Sequence, residues 1–131
     1  MGNVAPNNNI DLHFNKEENI LYWELNGIID NDYLVKIMDD IASYSNTIKD
    51  LRIVEFEGEY TLKINVKILP SIIKRGYRIL KQFDSIKHAG VINTPRNVAF
   101  FTILSNSLSS KSLKTKVFSE FDNAKNWINK I

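Results

Sequence analysis

Glu55, Glu57 and Glu59 alternate at the end of an apolar run, Leu51–Phe56. A strand continued through them would put three carboxylates on one face. Two close carboxylates can share acid–base work if one of them is kept protonated. No histidine or nucleophilic serine lies near them in sequence, so the expectation is a solvated acidic rim. The only histidines, His13 and His88, fall on separate predicted strands. A metal site needs clustered ligands, so both are expected to be ordinary strand residues and no metal or cofactor is implied.

Thr94-Pro95-Arg96-Asn97 is the best ligand candidate. Threonine as cap and proline at the first helical position open a helix. The free amides of that first turn, the helix dipole and Arg96 would favour an anion. The place is right, because open α/β sheets bind ligands at the carboxyl ends of their strands. An apolar or anionic small molecule would sit near Tyr60, Thr94 and Arg96. The plainer reading is a structural cap beside an exposed arginine.

Lys74, Arg75, Arg78 and Lys81 line the polar side of another predicted helix. A basic stripe can meet anionic lipid or nucleic acid. No aromatic residue interleaves on that side, so a solvated surface is expected. Val98, Ala99, Phe100, Phe101, Ile103 and Leu104 make the helix after Thr94 apolar on more than one side. The extra side is either deep core, the wall of a pocket, or a self-association face carrying Phe100, Phe101 and Leu104.

These residues need a scaffold. Ile10, Leu12 and Phe14 alternate as a half-buried strand; a polar turn follows, and then Ile20–Asn26 as its hairpin partner, closed by Gly27. Asp30 is an N-cap for a helix over 31–45, with Tyr33, Leu34, Ile37, Met38 and Ile41 on its apolar stripe. Leu51–Phe56 is a strand, ended by a polar break at Glu57–Tyr60. A second helix covers 65–83, with Pro70 near its start and Gly76 on its stripe for a close approach. Ile86–Asn93, a helix over 95–108, and Lys114–Phe118 follow. Ser119 caps a last helix set by Phe121, Ala124, Trp127 and Ile128. The order β-β-α-β-α-β-α-β-α predicts an α/β fold. Its five-stranded sheet is mixed and mostly parallel, with one antiparallel edge strand and four helices.

With 131 residues the chain reads as one domain over 10–131 behind an Asn-rich disordered tail over 1–9. A formal charge of +2 is too small for a dedicated nucleic-acid face. The absence of cysteine excludes disulfides, thiolate metal sites and a cysteine nucleophile. No apolar run is long enough to span a membrane, and no secretory leader is legible. The expected location is the cytoplasm.

The element order and lengths resemble the STAS superfamily, in particular its SpoIIAA-like (STAS/SEC14-type) bacterial branch. The resemblance is carried by Leu25-Asn26-Gly27, by Leu51–Phe56, by His88-Ala89-Gly90-Val91-Ile92 and by Val117-Phe118-Ser119…Ala124…Trp127-Ile128. These are packing and capping residues, which specify a fold rather than an activity. Members of the superfamily that antagonise anti-sigma factors use a phosphorylatable serine in an Asp-Ser-Ser/Thr-Gly loop. The matching region here, Glu57–Pro70, has no serine, and Thr61 is its only aliphatic hydroxyl. The leading expectation is therefore a non-enzymatic regulatory or protein-interaction module without that switch, self-associating as a homodimer through the helix after Thr94. The alternative, suggested by SEC14-type relatives, is a domain binding a lipid-like or anionic small ligand.

Overall fold

The computed structural model describes residues 11–108 and 110–130. The expected tail over 1–9, and Ile10 in the first strand, lie outside the described residues.

The first two strands, β1 (Asp11–Asn15) and β2 (Ile20–Asp30), form an antiparallel hairpin. Asn15 and Asn19 make its turn. Asn19 adopts φ 61°, a left-handed conformation that asparagine tolerates, and its N–H donates to Asn15 O at 2.8 Å. The Asn15 side chain accepts from Glu18 N at 3.0 Å.

β2 does not stop at Gly27. It continues to Asp30 alongside β3 (Asp50–Lys63), which in turn runs straight through the expected break at Glu57–Tyr60. The cause is a bulge. Leu25 pairs with Glu57, but Gly27 pairs with Tyr60, so β3 carries one extra residue. Gly27 accommodates the irregularity with φ 81°. Gly58 is required opposite, because a Cβ there would lie 2.4 Å from the Leu25 carbonyl oxygen.

Asp30 caps helix α1 (Asn31–Ala42) as expected, its carboxylate accepting from Tyr33 N at 2.8 Å. The helix tightens into a 3-10 turn over Ser43–Asn46 rather than continuing to 45. Helix α2 (Leu69–Leu80) is shorter at both ends than the expected 65–83. Pro70 belongs to its first turn, and Asn65 caps a separate 3-10 turn at Val66–Ile68. β4 (Ser85–Val91), α3 (Pro95–Ser107), β5 (Leu113–Phe118) and α4 (Phe121–Ile128) complete the expected order. Glu120, not Ser119, holds the cap position of α4, and no side chain caps it.

The strands lie in the order β1-β2-β3-β4-β5, parallel from β2 onward. That order never reverses, so right-handed crossovers put all their helices on one face. Accordingly α1, α2 and α3 share a face with Leu21, Trp23, Leu51, Ile53 and Ile86. On the opposite face α4 closes over Ile20, Val54 and Ala89 through Ala124 and Ile128, both fully buried. Burial of Ile128 alone contributes about 1.5–3 kcal/mol.

Candidate functional site

Strand alternation decides what meets the three-helix face. β3 presents Leu51, Ile53 and Glu55 there, and β4 presents Ile86, His88 and Gly90. Glu55 is therefore not on a solvated rim: it is 5% exposed, and its Oε1 lies 2.8 Å from His88 Nε2. Gly90, the register partner of Glu55, leaves room for Phe101 of α3 to settle on the sheet. A Cβ at Gly90 would come within 2.9 Å of the Phe101 ring. That ring meets His88 edge-on at 5.1 Å between centroids, and the His88 ring lies 6.2 Å from that of Trp23. Trp23 Nε1 donates to the Tyr33 hydroxyl at 3.1 Å. A carboxylate inside this aromatic shell is tolerable because the imidazole bonds it.

Beside the pair is a cavity of about 160 Å³ between α3 and the sheet. Leu34, Ile37 and Met38 of α1, Ile79 and Leu80 of α2, and Phe100, Phe101 and Leu104 of α3 wall it. The polar side chains that reach it are few: Glu55, His88, Tyr60, Asn97, Ser105 and Thr115. A dry engineered cavity of about 150 Å³ with similar walls takes up benzene or xenon. The three residues singled out as a self-association face thus wall this cavity, Phe101 being only 7% exposed. The outer side of α3 carries Ala99, Thr102 and Ile103 instead.

Tyr60, Thr94 and Arg96 do come together. They line a polar cleft of about 760 Å³ with Gly27, Glu57, Gly58, Glu59 and Asn97. Tyr60 and Asn97 border the cavity as well, so the two spaces share a wall. The residues that lead into α3 already hold an anion of the chain's own. Glu57 Oε1 accepts from Asn93 N at 3.0 Å and from Thr94 N at 3.2 Å, while Asn97 Nδ2 donates to Oε2. Partial burial pushes the Glu57 carboxyl up, but these hydrogen bonds outweigh it and hold it below its ordinary value. Thr94 gives no side-chain cap; the amides of Asn97 and Val98 donate to its carbonyl oxygen, at 3.0 and 2.9 Å. Tyr60 is half-buried, and its hydroxyl is raised well above the usual phenol range. Burial is the main cause, then the charges of Glu55 and Glu57, against an opposing pull from Arg96.

The remaining candidates stay on the surface. Lys74, Arg78 and Lys81 are exposed, while Arg75 pairs with Asp39 of α1 at 2.9 Å. His13 is exposed on β1. Among the described residues no cluster of three or more His, Asp or Glu could hold a metal. None of their hydroxyls bonds His88, so no nucleophile–base pair is assembled. No described helix is long and apolar enough to cross a membrane.

The Glu55–His88 pair is what sequence reasoning missed. The available signal was parity. Glu55 falls in phase with Leu51 and Ile53, and His88 with Ile86 and Ile92, so each charge-bearing side chain sits on an inward period.

No protein-family model matches the sequence, and no curated protein matches it. A solved structure does. An uncharacterised protein of the DUF3478 family from Shewanella loihica PV-4, described as having a SpoIIAA-like fold, superposes with a TM-score of 0.58 at 17% identity, over 98% of each chain. At that identity the likeness carries the architecture and no chemistry. The chain therefore has the SpoIIAA-like α/β fold, with its mixed five-stranded sheet and four helices.

Proposed function

We propose that this protein is a binding domain for a small, largely apolar molecule held between α3 and the sheet. The observation that carries the reading is the cavity of about 160 Å³ whose apolar walls converge on a buried carboxylate–imidazole pair. Its volume suits a single aromatic ring or a short branched chain better than a whole lipid tail. The polar cleft next to it, with Tyr60 and Asn97 on the shared wall, is the route of entry. Less supports an interaction module that pairs through α3, because Phe100, Phe101 and Leu104 wall the cavity.

The test is a titration of the isotopically labelled protein with toluene, followed by amide and methyl NMR. Saturable shifts confined to Phe101, Leu104, Ile79 and their neighbours are expected, with a rise in Tm that grows with toluene concentration. Unchanged spectra up to the solubility limit of toluene would overturn the reading.

A further inference from the structure

The chemistry of the ligand's polar end follows from Glu55, and the inference rests on the cavity reading above. Glu55 is buried in an apolar shell, yet His88 engages only its Oε1. Its second oxygen makes no hydrogen bond among the described residues, and the side chain borders the cavity. No buried side-chain atom among them is left without a partner, so that oxygen keeps some accessible surface, and the space that its side chain borders is the cavity. A carboxylate oxygen facing an apolar cavity is an acceptor waiting for a donor.

The surroundings reinforce the sign. Glu57 stands on the same strand face one step further along β3, with both its oxygens engaged by Asn93, Thr94 and Asn97. The Tyr60 hydroxyl, on the shared wall, has its proton held by burial and by the negative field of Glu55 and Glu57. Arg96, whose charge pulls the Tyr60 hydroxyl the other way, is exposed in the outer cleft, where solvent screens it. His88 Nε2 is turned to Glu55.

We infer that the cavity selects a small apolar molecule ending in a hydrogen-bond donor, an alcohol or a primary amine, and excludes the corresponding carboxylic acid. A donor completes the coordination of Glu55. A carboxylate brought to the same point sets two like charges together out of water, which they tolerate only by sharing a proton. Glu55 is thus the specificity-determining residue and His88 the residue that positions it.

The experiment compares four probes with one apolar body: toluene, benzyl alcohol, benzylamine and benzoate. Each is titrated at pH 7 into the full chain and into the Glu55→Gln variant, with NMR shifts around Gly90 and Phe101 locating the site. Glutamine keeps an acceptor for His88 and so preserves the packing, but it turns a donor toward the cavity. The alcohol and the amine should bind the wild type roughly tenfold or more tighter than toluene, and benzoate more weakly than toluene. In Glu55→Gln the advantage of benzylamine over toluene should vanish. Equal binding of toluene, alcohol and amine by the wild type overturns the inference while leaving the cavity reading intact. So does benzoate binding tighter than toluene, or an amine preference that survives Glu55→Gln. If none of the four binds, toluene included, the cavity reading itself has failed.

Discussion

Replacing His88 by phenylalanine keeps an aromatic ring between Trp23 and Phe101 but strands the Glu55 carboxylate. Glu55 is 5% exposed and the His88 side chain 19%, so the lost bond is replaced by little solvent. Breaking a buried pair from one side typically costs about 3–5 kcal/mol. Access through the cavity and the partial exposure of His88 put this case at the lower end, about 3 kcal/mol. For a chain of this length that is a fall in Tm of roughly 10 °C. Removing both members behaves differently. Glu55→Leu combined with His88→Phe eliminates the desolvated charge and should return stability to within about 1 kcal/mol of wild type or above it. Urea unfolding at pH 7 measures all four corners of this cycle, with unchanged m-values as the check that only stability has moved. The reasoning is refuted if His88→Phe loses less than about 1 kcal/mol, or if the double variant is no more stable than the His88→Phe single variant.

Three further expectations bear on the scaffold. Gly58→Ala drives a Cβ against the Leu25 carbonyl and the Asn26 side chain, so it should cost about 1–3 kcal/mol or more and weaken amide protection along the outer β2–β3 pairing, as read by hydrogen exchange. Gly76→Ala meets only the end of Leu108, at 2.7 Å, and that side chain borders the cavity and has room to swing. The gain in helix propensity should then dominate, raising stability by up to about 1 kcal/mol in urea; a loss of that size would mean the space is filled. Glu57 has a carboxyl held below its ordinary value of 4.5. Its contribution is therefore complete above the unfolded value and disappears as pH falls through the lower folded one. Glu57→Gln should be less stable than wild type at pH 7, with the difference shrinking below about pH 4.5 in a pH series of thermal melts.

Much of the architecture was legible because its signals are local. The Asp30 cap, the Asn15–Asn19 turn, the proline-led start of α3 and the Phe121–Ala124–Trp127–Ile128 stripe each depend on residues within a few positions of one another. The β2–β3 extension was not legible. Glu57–Tyr60 looks like a break, and only the neighbouring strand, with its bulge at Gly27, keeps it extended. The cap of α3 was hidden for the same reason. Thr94 has the right identity, but its side chain makes no cap bond, and its amide donates instead to Glu57, 37 residues earlier. Tyr60, Thr94 and Arg96 could be named from sequence as neighbours of the strand ends, and they do line one cleft. The Glu57 carboxylate that already fills its anion-binding corner could not.

The amino-acid order by itself determined the sequence of elements, the parity of each strand and the apolar stripe of each helix. These arise from backbone geometry and short-range contacts, with periods of two and 3.6 residues. It also determined that Glu55 and His88 lie on inward periods. Only the tertiary structure decided that an inward period is buried at Glu55, that His88 comes within bonding distance of it, and that α3 leaves space beside them. A cavity is the residue of imperfect fit among side chains from β2, β3, β4 and three helices, far apart in the chain. No local pattern encodes it, because it exists only when all of those elements have packed.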